Sequence, residues 1–268
     1  MLSRMSIALR ELGRTGEQIP EIGLGTWQYR GGVEPLRRGI ELGARFIDTA
    51  EIYGTESISG DAIADQHAFL ATKVSGDHLT YDEVLKAAEH SLKRLGIPTI
   101  DLYQIHWPSE RGAPIAETMR AMEELVQAGK VRYIGLSNFS RSQLEDAQAA
   151  LKQNRIASNQ VEYNLMRRSI EKDLPFYQRE GITVIAYSPF ARGDLLGSGR
   201  RKGLDDLGAV AAEAGKTPAQ VCLNWCLSRP GVIPIPKTDR VDRVAEICGG
   251  SGWALTPAQV SRLDEAFS

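Results

Sequence analysis

The feature that most constrains this chain is an eightfold alternation of short apolar runs with longer helical stretches. The runs, expected as strands, cover residues 22–26, 45–48, 68–73, 100–106, 133–137, 157–162, 182–187 and 232–236. Helices are expected over 34–42, 54–64, 80–95, 116–128, 142–152, 169–180, 204–215 and 218–228. Strands joined through a helix pair in parallel rather than as hairpins. Eight such units without a break in composition predict one α/β domain over residues 1–268, a parallel eight-stranded (β/α)8 TIM barrel. Residues 7–19 alternate weakly around Gly13, Arg14, Thr15 and Gly16, which predicts an N-terminal β-hairpin. Two C-terminal helices, over 241–248 and 257–267, follow the last strand.

The helix over 80–95 carries the clearest signals. Thr80 and Glu83 fit a capping box, and Val84, Ala87, Ala88, Ser91, Leu92 and Leu95 recur at helical spacing. Gly96 stops the helix and Pro98 prevents its resumption.

Composition removes several function classes. A net charge of −2 with acids and bases interspersed gives no sign of a nucleic-acid partner. The start of the chain lacks the apolar core of a signal peptide, and no apolar run approaches the ~18 residues of a membrane span. Cys222, Cys226 and Cys248 form no disulfide framework and no C-x-x-C pair, so reduced, buried thiols in a cytoplasmic protein are expected. His67, His78 and His90 show no metal-ligand spacing, and no metal is expected.

Ionisable side chains gather at the strand ends. The run Phe46-Ile47 ends in Asp48, with Tyr53 five residues on and Gly54 after it; the next run ends at Lys73 and the fourth at His106. Singly, such residues read as a cap, a solvated cation or a packed aromatic. On three successive strand ends they read as a site at the C-terminal face of a barrel.

This pattern resembles the aldo-keto reductase family from about Gly23 to the C-terminus, and the resemblance implies a catalytic tetrad of Asp48, Tyr53, Lys73 and His106. Tyr53 would be the proton donor, with Lys73 lowering a phenol pKa that is near ~10 when free. Asp48 would hold the ammonium in place, and His106 would hydrogen-bond the carbonyl oxygen. The implied activity is NADPH-dependent reduction of aldehydes and ketones by hydride transfer. The resemblance also assigns Asn138 and Gln160 to the nicotinamide carboxamide, with Ser137 beside them at the cofactor, and Tyr187, followed by Ser188, to the ring. Lys237, Thr238 and Arg243 would grip the adenosine 2′-phosphate, and Glu246 is available to the adenine amino group. A cationic fork with a hydroxyl suits a phosphate. Ile247 departs from the family, where Asn is frequent. Trp27 and Trp107 would wall the substrate cleft.

The stretch Gly23-Leu24-Gly25-Thr26-Trp27-Gln28 invites comparison with a dinucleotide fingerprint, but Gln28 stands where the third glycine is required. Two other readings use the same residues. A Schiff-base lyase would use Lys73 as its nucleophile, which Asp48 opposes because a paired ammonium stays protonated. A cofactor-binding regulatory subunit would need no turnover, which a complete tetrad opposes. The chain ends soon after its last helix, so an open cleft for small carbonyls is expected, in a monomer such as many relatives form.

Overall fold

The computed structural model describes residues 7–64, 66–197 and 203–268. It opens with an antiparallel hairpin, β1 (Leu9–Glu11) and β2 (Gln18–Pro20). Eight parallel strands follow: β3 (Leu24–Gly25), β4 (Phe46–Asp48), β5 (Phe69–Val74), β6 (Ile100–Ile105), β7 (Val131–Ser137), β8 (Ile156–Glu162), β9 (Thr183–Tyr187) and β10 (Val232–Pro234). They pair in sequence order. The ring closes where Gly23 and Gly25 donate to the carbonyls of Pro234 and Pro236, each at 3.0 Å. The expected (β/α)8 barrel and its hairpin are both present.

Strand periodicity decides what the barrel contains. Side chains two apart share a face, so Phe69, Ala71 and Lys73 point inward while Leu70, Thr72 and Val74 face the helices. On β4 the inward pair is Phe46 and Asp48, and on β6 the inward series runs Leu102, Gln104, His106. The lower interior is therefore apolar: Phe46, Phe69, Ala71, Leu102, Ile185 and Ile233 form one buried cluster. The hairpin completes it from below with Leu12 and Ile19, both fully buried. The upper interior is polar, and the same strands end there in Asp48, Lys73, Gln104, His106 and Gln160.

Local signals set the helix ends. The capping box of Thr80 and Glu83 forms, and Gly96 closes that helix, Tyr81–Leu95, at φ +67°. Ser140 with Gln143, Thr217 with Gln220 and Thr256 with Gln259 make three more capping boxes. The expected helix over 169–180 instead splits into a 3-10 turn, Ser169–Asp173, and an α-helix, Leu174–Glu180. Pro175 explains the break, because it lacks an N–H and fits only a helix's first turn. After β9 the chain makes 3-10 turns at Ala191–Leu196; residues 198–202 lie outside the described residues, as do residues 1–6 at the start of the chain. No described helix is long and apolar enough to cross a membrane.

Candidate active site

The C-terminal ends of the strands surround a cleft of about 530 Å³ lined by Trp27, Asp48, Tyr53, His106, Ser137, Asn138, Gln160, Tyr187, Ser188 and Lys237, among others. Among the described residues, the non-glycine residues with positive φ are Gln28, Asn138, Ser188, Ala191 and Arg192. Four of them line this cleft and Ala191 adjoins it. Left-handed backbone costs a side chain free energy and concentrates where loop geometry serves a site.

At the floor, Lys73 Nζ donates to Asp48 Oδ1 at 2.5 Å and to the Thr49 carbonyl at 2.8 Å. Both side chains are buried, and the pair exists only because each charge compensates the other. Asp48 Oδ2 accepts from Gln160 Nε2 at 2.8 Å and Gln104 Nε2 at 3.1 Å. Burial acts against the Lys73 ammonium, but Asp48 and Tyr53 outweigh it and raise its pKa.

Tyr53 ends a 3-10 turn, Glu51–Tyr53, closed by Gly54 at φ +70°. Glu51 Oε1 accepts from Ser75 N at 2.5 Å and lies 3.0 Å from His78 Nδ1, pinning this turn to the end of β5. The phenol is thereby held 3.1 Å from His106 Nε2, with Lys73 Nζ 5.0 Å from its ring centre. Burial pushes the Tyr53 phenol above its ordinary value, and the pull of Lys73, partly cancelled by Asp48, does not reverse this. The expected downward shift is thus present as a contribution and overcome by desolvation. His106 is pushed down to about 3 by burial and by Lys73, so its imidazole is neutral near pH 7.

Asn138 ties three strand ends together. Its Nδ2 donates to the His106 carbonyl at 2.9 Å, and its Oδ1 accepts from the Tyr187 hydroxyl at 3.0 Å. Ser137 Oγ accepts from the same amide at 3.1 Å. Asn164 Nδ2 holds the Ser188 carbonyl at 2.9 Å.

The residues expected to grip a 2′-phosphate engage other partners. Lys237 pairs with Asp239, which also accepts from Arg30 N at 2.8 Å. Arg243 pairs with Glu246 at 2.7 Å, and Thr238 Oγ1 accepts from Arg240 N at 3.2 Å. Of these residues Lys237 lines the cleft, and the others stand beyond it. Trp27 lines the cleft and is 44% exposed. Trp107 differs from the expectation: it packs against Gly76, its ring centre 4.6 Å from that of His106, and is not among the lining residues. A Cβ on Gly76 would stand 2.2 Å from the indole, so that glycine is what lets the ring lie flat there.

The model of the Aldo/keto reductase family matches residues 21–267. The chain belongs to the aldo-keto reductase family. Methylglyoxal reductase YeaE of Escherichia coli K12 is 35% identical over 262 residues, 93% of this chain and 91% of that protein. Glyoxal reductase of Bacillus subtilis 168 is 34% identical over 260 residues, 93% of this chain and 89% of that one. Among solved structures, the thermostable aldo-keto reductase Tm1743, crystallised with epalrestat, superposes with a TM-score of 0.90 at 40% identity. That match covers 97% of this chain and all of Tm1743. An aldo/keto reductase from Klebsiella pneumoniae in complex with NADP and acetate gives a TM-score of 0.86 at 33% identity, over 97% and 96% of the two chains.

Two residues of this aldo-keto reductase site escaped the sequence reading. Gln104 lies in the inward phase of β6 between Leu102 and His106, so counting alternate residues back from His106 would have found it. Arg192 lines the cleft with its guanidinium 5.5 Å from the Trp27 ring centre, and no local pattern marked it within a Gly- and Arg-rich loop.

Proposed function

We propose that this chain is an NADPH-dependent reductase of small aldehydes and dicarbonyls, with Tyr53 as the general acid. The observation that carries the reading is the 3.1 Å contact between Tyr53 Oη and His106 Nε2, with the Lys73–Asp48 pair directly behind it. The named activities of the methylglyoxal and glyoxal reductases and the NADP complex of the Klebsiella protein support it.

The residues present suit the cofactor. Gln160 spends its amide N–H groups on Asp48 and Gln104, which leaves its carbonyl oxygen free to accept from a carboxamide. Asn138, Ser137 and the Tyr187 ring line the same cleft, and Lys237 adds a cation to that lining. Thr238 and Arg243 would complete a 2′-phosphate grip, with Glu246 at the adenine. NADPH, when bound, supplies the hydride.

Neutral His106, protonated on Nε2, donates to the substrate's carbonyl oxygen and fixes its approach. Tyr53 Oη delivers the proton as charge develops on that oxygen. The Lys73 ammonium stabilises the phenolate left behind, and Asp48 keeps the ammonium charged and in place. A protonated lysine with a raised pKa is also a poor Schiff-base nucleophile, which speaks against lyase chemistry at Lys73. Trp27, Phe190 and Leu196 offer an apolar rim to a small carbonyl compound.

NADPH consumption against methylglyoxal, glyoxal, simple aldehydes, ketones and keto sugars tests this reading, with Tyr53→Phe as the control. Turnover should fall by at least ~10²-fold in the variant while NADPH still binds. Absence of turnover with the whole panel, or an active Tyr53→Phe protein, would sink the proposal.

A further inference from the structure

The chemistry proposed above leaves Gln104 without a role. It sits on β6 in register with Lys73 and is fully buried. Its Nε2 donates to Asp48 Oδ2 at 3.1 Å, and its Oε1 accepts from Gln160 Nε2 at 3.4 Å. Gln160 Nε2 donates to the same carboxylate oxygen at 2.8 Å, so one carboxylate and two amides form a closed ring. Room for this amide is made on the neighbouring strand: a Cβ on Gly135 would stand 2.8 Å from Gln104 Cγ. Burying an amide is costly compared with burying a leucine of similar volume. Asp48 dictates how both amides face, since only an N–H is accepted by a carboxylate oxygen.

We infer that Gln104 is a positioning residue that screens the Asp48 carboxylate and so sets the proton affinity of Tyr53. This rests on the reading of Tyr53 as the acid. Two amide dipoles point their positive ends at Asp48 Oδ2 and offset part of its charge. Remove one, and the carboxylate acts more strongly on Tyr53, in the direction that favours the neutral phenol. It also cancels more of the ammonium that favours the phenolate. The charged or titratable groups facing Tyr53 are Asp48 on β4, Lys73 on β5, His106 just after β6 and Tyr187 on β9. None of the four is itself replaced when Gln104 alone is changed.

The test replaces Gln104 by Leu and, separately, by Met, which keep its volume and lack its N–H. The readout is the pH dependence of alcohol oxidation with NADP, in which Tyr53 must act as phenolate and the rate rises through its pKa. Each variant's midpoint should move up by about half a pH unit, less than the ~1 unit that a hydrogen bond to a charged group is worth when it is made to the titrating group itself. Below the midpoint the rate then falls ~3-fold at any given pH. The KM for alcohol and the Kd for NADPH should hold within ~2-fold, since Gln104 is not part of the cleft lining and Gln160 keeps its bond to Asp48. NADPH titration checks the fold of each variant, and Met preserves the side chain's length should Leu disturb the strand. A midpoint that stays put or moves down in the folded variants overturns the inference. If Tyr53→Phe is inactive and the Gln104 midpoints are unmoved, only the role of Gln104 fails. An active Tyr53→Phe protein overturns the reading beneath it.

Discussion

Lys73 Nζ lies 2.5 Å from Asp48 Oδ1 in the upper interior of the barrel, and neither side chain is exposed beyond a few per cent. Removing one member of such a pair leaves the other charge buried without compensation. Lys73→Met should therefore cost about 3–5 kcal/mol of stability and nearly abolish reduction. Asp48→Asn retains the ammonium and should be milder in kcat. Urea unfolding together with kcat on the two folded variants checks the order, and a larger kcat loss in Asp48→Asn would contradict it.

His106 carries a pH signature. Its pKa lies at about 3 in the folded chain, against 6.5 for the free side chain, so the unfolded chain binds the proton more readily between those values. Stability contributed by the neutral ring is complete above pH 6.5 and is lost as pH falls towards 3. His106→Asn should flatten the stability profile over pH 4.5–6 by up to ~1.4 kcal/mol per unit relative to wild type. Parallel slopes in the two proteins would mean that the imidazole is protonated in the fold.

In the proposed reading, cofactor choice depends on Lys237, Thr238 and Arg243. A 2′-phosphate must draw Lys237 from Asp239 and Arg243 from Glu246, so part of each gain goes into exchanging partners. Charge-assisted bonds are worth about 1.5–3 kcal/mol each, and a net preference for NADPH over NADH of at least ~10-fold is expected. Replacing Lys237 and Arg243 together by Ala should weaken NADPH binding and leave NADH nearly unchanged. Fluorescence titration with both cofactors measures this; equal losses would assign the two residues to the barrel instead.

Leu12 tests the floor beneath the site. It enters the cluster of Phe46, Phe69 and Ile233 from the hairpin below and is fully buried. Leu12→Ala should lower unfolding stability by about 2–5 kcal/mol, with KM unchanged because the cavity opens at the opposite end from the cleft. A shift in KM larger than the loss of stability would show that the hairpin shapes the cleft.

The alternation of strands and helices was legible because each element carries its own period and its own stops. Thr80 and Glu83 cap a helix through atoms three residues apart, and Gly96 ends it by adopting a backbone that other residues avoid. The helix over 169–180 opens as a 3-10 turn for an equally local reason, since Pro175 allows an α-helix to begin there and not to continue through. The strand-end positions of Asp48, Lys73 and His106 were legible for the same reason: strand phase is a property of neighbours in sequence.

What the sequence by itself determined is therefore the barrel, its hairpin and the arrival of Asp48, Tyr53, Lys73 and His106 at one end of it. Only the tertiary structure decided how those groups share charge. Gln160 donates to a carboxylate 112 positions away, Gln104 joins it from 56 positions away, and Tyr187 donates to Asn138 across 49. The direction of the Tyr53 shift was decided there too, since desolvation by the surrounding strands outweighs the ammonium beside it. Secondary structure follows from hydrogen bonds and rotamers within a few residues. Burial and Coulomb interactions depend on distance through space, which the order of residues along the chain does not specify.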